Sequence, residues 1–409
     1  MASSISKHNG MVVAPHYLAA QAGADILSEG GNAVEAMLAA AASIAVTYPH
    51  MNGLGGDNFW LIHSPDQGLP WAIDACGGAA EIADIAFYHD HNLRSIPGRG
   101  PLSAITMAGA VSGWQNALQL SKQHFGGKIP LRRLLEPAIE HAKNGIPTTN
   151  TLANNILNKR QELEPQPGFL EQFLPLGIAP SAGDLFKLPT LAGTLDALAQ
   201  AGLQDFYHGD IAHSLSQELE RAGSPLRRED FDRHRSMEVI PLSLDVAGHR
   251  IFNLPPPTQG IASLILLGIF ERLKITEAEG FEFSHGIIEA TKRAFKIRDR
   301  HVCDPAFMTS KIERFLTSEV LDELMSSIDM TRAAPWPDAT TGGDTVWLGA
   351  IDSKGRAVSF IQSVYWEFGS GLVLPQTGIT WQNRGTSFSL DPAHHNCLHP
   401  HKRPFHTIQ

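Results

Sequence analysis

TTGGDTVWLGAID, residues 340–352, sets two glycines, an aspartate and a threonine immediately before a run that reads as a buried strand. A second strand, AVSFIQSVYW, follows after a turn through Ser353, Lys354 and Gly355, so the two runs predict a hairpin. LVLP and GITWQN continue as further short strands. Everything after Asp344 therefore has the texture of a sheet, and the question is what this sheet packs against.

Upstream the answer is helices. HYLAAQAGADILSEGG carries Leu18, Ala22, Ile26 and Leu27 at helical spacing, with Gly30 and Gly31 as its stop. Asn32 followed by Glu35 has the form of a capping box for AVEAMLAAAASIAV, which is apolar almost all round and reads as a buried helix. Gly53, Gly55 and Gly56 make a tight loop into a strand near Phe59, and residues 69–75 predict a second strand. From 113 to about 223 the pattern is mostly helical, in NALQLSKQHF, LRRLLEPAIEHAKNG and LAGTLDALAQAG. Strand signals return in MEVIPLSLDVAGHRIFNL before the helical runs IASLILLGIFERLK and HGIIEATKRAFKIRDRH. The order predicts an α+β protein, with helices over largely antiparallel sheets and no linker tract to divide the chain.

Composition narrows the function. The chain has 409 residues, 43% hydrophobic and 18% charged, as an ordinary globular protein does. A net charge of −10 without basic blocks argues against nucleic acid. The absence of a long apolar run argues against a membrane span or signal peptide, so a soluble cytoplasmic protein is expected. Cys76, Cys303 and Cys397 are too irregularly spaced for a disulfide framework or a thiolate zinc site. HHNCLHPH, residues 394–401, reads as a polar loop because its ligand types lack a recognisable metal spacing. GLGGDN lacks the Lys-Ser/Thr pair and the following helix of a phosphate loop, so it reads as a turn. No metal and no cofactor are expected.

Thr345 then carries the chemistry. A threonine hydroxyl needs a base within reach, and no G-x-S-x-G elbow supports a histidine triad. Cleavage of the bond between Asp344 and Thr345 would place an α-amine, with a reference pKa of about 7.7–8.0, on the nucleophile's own residue. Gly342 and Gly343 give that loop the backbone freedom for Thr345 to attack its preceding carbonyl. Spacing alone leaves open whether Thr345 is this nucleophile or a strand-edge threonine.

The chain from Gly10 to Gln409 resembles the γ-glutamyltranspeptidase family of N-terminal-nucleophile hydrolases. The resemblance is carried by the long stretch GMVVAPHYLAAQAGADILSEGGNAVEAMLAAAASIAVTYPHMNGLGGDNFWLIH, then by TMAGAVSGW, FYHGDIA, NLPPPTQGIAS and EATKRAFKIRDRHVCDP. It ends with DTVWLGAIDSKGRAVSFIQSVYWEFGSG and HKRPF. It implies a four-layer αββα sandwich, cleavage between Asp344 and Thr345, a large-subunit region 1–344 and the start of a small-subunit region 345–409. Thr345 is the implied nucleophile and Ser363 the hydroxyl that hydrogen-bonds it. A dimer of the cleaved heterodimers is compatible with the family.

At the substrate positions the sequence departs from the transpeptidases. Cys76 stands where they carry a carboxylate-binding arginine, and Tyr365, Arg384 and Ser387 replace the acid and amides that hold the substrate ammonium. His406 and Thr407 replace a serine pair after the KRP motif. A buried ammonium without its carboxylate costs on the order of 2–5 kcal/mol, which disfavours a γ-glutamyl substrate. Arg384 instead suits a short anion, and SFIQSVYWEFGSG, WQNRG and KRPFHT look closest to the oxamate amidohydrolase branch. The expected reaction turns oxamate into oxalate and ammonia through a Thr345 ester, with His406 and Thr407 assisting at the carboxylate. Alternatives are a γ-glutamyl hydrolase or transferase and a β-lactam side-chain acylase. In the family an oxyanion-hole glycine pair lies beyond the position of Gln409, so the sequence is also compatible with an inactive, C-terminally truncated scaffold.

Overall fold

The computed structural model describes residues 3–7, 9–336 and 345–408. Seven strands make the main sheet. In chain order they are β1 (Ser3–Lys7), β2 (Gly10–Ala14), β3 (Asp57–His63), β4 (Trp71–Ala75), β5 (Met237–Val239), β6 (Val346–Asp352) and β7 (Ala357–Ser363). Across the sheet they lie in the order β1–β2–β6–β7–β3–β4–β5, with every neighbouring pair antiparallel. The predicted hairpin is therefore β6–β7, and its turn is held by Asp352 Oδ1, which accepts from the Lys354 and Arg356 amides at 2.9 and 3.2 Å. β4 starts at Trp71, later than expected, because Pro70 has no amide to give to a ladder.

One face of the sheet is covered by helices α1 (Tyr17–Ser28), α2 (Ala33–Thr47), α3 (Ala110–His124) and α4 (Leu131–Asn144), which share a core with Val12, Trp60, Ile73, Leu348 and Phe360. The capping box at α2 forms as read. Asn32 accepts from the Val34 and Glu35 amides, and Glu35 returns a bond to the Asn32 amide at 2.9 Å. Every residue of α2 is buried, which its all-round apolar sequence requires. Gly113 lies inside α3 although glycine weakens a helix, because a side chain there would fall 1.9 Å from Asn58 Oδ1 on β3.

On the opposite face, Phe59, Ala72 and Ile361 pack with Leu254 and Ile408. Behind them a hairpin, Leu242–Val246 with His249–Asn253, supports α5 (Gly260–Arg272) and α6 (Phe281–His301) over a second core of Leu242, Ile261, Ile265, Ala290 and Ala294. Helices, sheet, hairpin and helices thus follow one another in an α+β layering. Toward β2 and β6 this face stays open: Trp347, Ile351 and Met11 are 50%, 45% and 40% exposed. Among the described residues no helix is long and apolar enough to cross a membrane.

Candidate active site

The sheet register gathers four side chains into one row. Ser363 pairs with Asp57, while Val346 pairs with Gln362 and Asn58 with Ala75, so the next residues in register are Thr345 beside Ser363 and Cys76 beside Asp57. Phe59 and Ile361 point toward the hairpin layer, and by strand alternation Asp57 and Ser363 do too. The row Thr345–Ser363–Asp57–Cys76 therefore crosses the ends of β6, β7, β3 and β4 on one face. Thr345 is exposed there.

Hydrogen bonds tie the row together. Thr345 Oγ1 donates to Ser363 Oγ at 3.1 Å, and Ser363 Oγ also accepts from the Tyr365 amide at 2.9 Å. Tyr365 takes a left-handed backbone, with φ at 82°, where the chain leaves β7. Its ring lies under the Arg384 guanidinium, 4.0 Å from centroid to carbon. Arg384 opens the short 3₁₀ turn Arg384–Ser387 and is fully buried. Its Nε, Nη1 and Nη2 have no hydrogen-bond partner among the described residues, and the Ser387 hydroxyl on the same turn has none either. Burial holds the arginine below its usual pKa, with Tyr365, Asp57 and Cys76 acting in the other direction.

The glycine loop before β3 serves this arrangement by approaching backbone to backbone. A side chain on Gly55 would meet the Thr380 carbonyl at 2.3 Å, and one on Gly56 the Ser363 carbonyl at 2.2 Å. The loop thereby delivers Asp57 beside Ser363. Asp57 Oδ1 accepts from the Gly109 amide at 3.0 Å and from Gln382 Nε2 at 3.2 Å, and Oδ2 lies 3.0 Å from His406 Nε2. His406 is fully buried, with Nδ1 2.8 Å from the Pro404 carbonyl and its ring edge-on to Phe59. Both of its ring nitrogens are engaged within the protein, and Thr407 is exposed. One strand further, Arg403 bridges Asp74 and Asp304 at 2.6 and 2.9 Å, which fixes the KRP segment to β4.

Thr345, Ser363, Tyr365, Arg384 and Ser387 come together within this one corner, and His406 joins it through its contact with Asp57 and lies within electrostatic reach of Arg384. Asp344 and the glycines before it lie outside the described residues. Sequence reading passed over Asp57: the acid follows the glycine loop in plain view, but its partners are remote in sequence. The histidine-rich loop makes local bonds, with Lys402 Nζ donating to the His395 and Cys397 carbonyls. Among the described residues no cluster of His, Cys, Asp or Glu is arranged to hold a metal.

A family model described as gamma-glutamyltranspeptidase matches residues 19–409. The oxamate amidohydrolase proenzyme of Klebsiella pneumoniae is 51% identical over 406 residues, 99% of this chain and 76% of that protein. The glutathione hydrolase-like YwrD proenzyme of Bacillus subtilis is 38% identical over 410 residues, 100% of this chain and 77% of that protein. The crystal structure of cephalosporin acylase from Bacillus halodurans, 34% identical, superposes with a TM-score of 0.90 over 99% of this chain and 75% of its own. With its landmarks and its fold both matched along nearly the whole length, the chain belongs to the γ-glutamyltranspeptidase family.

Proposed function

We propose that the protein is an autoprocessing amidohydrolase that cleaves a small anionic amide, oxamate, to oxalate and ammonia with Thr345 as nucleophile. The observation that carries this reading is Arg384. A guanidinium buried to 0% exposure whose three nitrogens have no hydrogen-bond partner among the described residues is costly unless an anion completes it, and the Tyr365 ring beneath it recovers only about 2 kcal/mol. A carboxylate fits that fork in bidentate fashion. In oxamate the amide carbon is bonded directly to the carboxylate, so an anion seated on Arg384 brings its carbonyl to the strand ends that carry Thr345. The relative from Klebsiella pneumoniae bears the matching activity in its name.

The chemistry proceeds in two stages. In maturation, Thr345 Oγ attacks the Asp344 carbonyl carbon, the peptide shifts from nitrogen to oxygen, and water hydrolyses the ester. This frees the Thr345 α-amine and separates regions 1–344 and 345–409. In turnover that amine takes the hydroxyl proton while Oγ attacks the amide carbon. Ammonia leaves with a proton, an oxalyl ester remains on Thr345, and water activated by the same amine releases oxalate. Ser363 orients the hydroxyl throughout.

A γ-glutamyl or β-lactam side-chain substrate needs other partners. An α-ammonium would meet Arg384 and Ser387 where it requires a carboxylate, a mismatch of about 2–5 kcal/mol. Ammonia release from oxamate, compared with turnover of glutathione and of a cephalosporin side-chain amide, tests the assignment. Oxamate should be the productive substrate, and Thr345→Ala should abolish both chain cleavage and ammonia release. Efficient γ-glutamyl transfer, or oxamate hydrolysis surviving Thr345→Ala, would overturn it.

A further inference from the structure

Asp57 takes no part in the reaction just described, yet it occupies the centre of the catalytic row. Its contact with His406 fixes where a proton must be. The Pro404 carbonyl can only accept, so His406 Nδ1, 2.8 Å away, carries hydrogen. A neutral ring then has only a lone pair on Nε2, and that nitrogen faces Asp57 Oδ2 at 3.0 Å. Two lone pairs do not attract. The contact is a hydrogen bond only when a further proton lies between the two atoms, on the carboxyl oxygen or on the imidazole. In either form the pair as a whole is neutral.

The surrounding charges give that neutrality its consequence. Asp57 is faced by Arg384 from the 384–387 turn, by Cys76 from the end of β4 and by Tyr207 from the helical side. Burial pushes both the Cys76 thiol and the Tyr207 phenol up, so both are neutral. Further out, Arg403 is paired with both Asp74 and Asp304. With the Asp57–His406 pair protonated, Arg384 stands as an uncompensated buried cation. Without that proton, Asp57 becomes a buried carboxylate within electrostatic reach of Arg384, satisfying the charge that an incoming anion would otherwise meet.

We propose that one proton held in the Asp57–His406 contact is the condition for an anion to occupy Arg384, so that anion binding and protonation of this pair are coupled. The inference rests on Arg384 as the anion site and adds what sets its charge. Burial raises the Asp57 carboxyl to about 7, against the opposing pull of Arg384 and of the amide donors, while burial and Arg384 drive His406 well below its usual value. The proton therefore sits on the Asp57 side and is present below about pH 7. A bound anion raises that value further, so above it binding draws a proton from solution.

Oxalate, which is not turned over and stays fully ionised near neutrality, is the probe. Titration calorimetry of the unsubstituted protein, in buffers of differing ionisation heat, should show affinity level below about pH 7 and falling roughly tenfold per unit above it. Up to one proton should be taken up per oxalate bound. Asp57→Asn, the same shape but permanently neutral, should flatten the profile and remove the uptake. Affinity independent of pH with no proton uptake overturns the coupling while leaving the anion site standing, and so does a slope that persists in Asp57→Asn. Oxalate binding that survives Arg384→Gln, or no oxalate binding at all, removes the anion site and the coupling with it. The heats of the unsubstituted protein decide the matter even where Asp57→Asn does not fold.

Discussion

The Ser363 hydroxyl joins two neighbours, accepting from Thr345 Oγ1 at 3.1 Å and from the Tyr365 amide at 2.9 Å among the described residues. It therefore fixes the rotamer of Thr345, the proposed nucleophile, and anchors the residue whose ring supports Arg384. Ser363→Ala should lower kcat/KM for oxamate by roughly ten- to a hundredfold, the equivalent of about 1.4–2.7 kcal/mol, with most of the loss in kcat. Steady-state kinetics checks this, and an unchanged kcat would remove Ser363 from the reaction. This part of the site was readable because Thr345, Ser363, Tyr365 and Arg384 fall on neighbouring stretches of chain whose pattern matches a family. What His406 touches was not legible, for the opposite reason. Its partner Asp57 lies 349 residues away, and no spacing rule links a glycine loop near the start of the chain to a KRP segment near its end.

At the scale of elements, the loop Gly53–Gly56 and the end of β7 behave as one unit. Gly56 lies flat on the Ser363 carbonyl, and an added methyl would fall 2.2 Å from that oxygen. Gly56→Ala must push the loop and β7 apart, at a cost of about 1–3 kcal/mol. Because the displaced residues are Ser363 and Asp57, activity should fall further than stability alone explains. Thermal denaturation with ammonia release on the same sample separates the two, and full activity in a destabilised variant would refute the coupling. The elements themselves were legible from local signals: the capping box at Asn32, the β6–β7 turn and the alternating apolar residues. Strand order was not. Nothing local to β6 says that it lies between β2 and β7, since that choice depends on matching whole apolar faces.

Across the whole molecule, that strand order determines what cleavage before Thr345 can do. β6 and β7 belong to region 345–409 but occupy the middle of the sheet, flanked by β2 on one side and β3 on the other, both from region 1–344. Seven register pairs run from β7 to β3 and four from β6 to β2, while Leu348 and Phe360 are buried in the helical core. Asp352 adds a link by accepting from the Ala33 amide at the start of α2 at 3.0 Å, and Arg403 adds another by bridging Asp74 and Asp304. Separating the two regions would therefore expose both the sheet centre and the helical core, which amounts to unfolding. After cleavage the two pieces should co-elute as one species in size-exclusion chromatography under native conditions. They should appear as two bands, the smaller beginning at Thr345, only under denaturing electrophoresis. Denaturant titration should release them in the same transition that removes helical circular dichroism, because no interface between them exists apart from the fold. Dissociation well before that transition would show that the two regions meet at a surface instead of sharing a sheet.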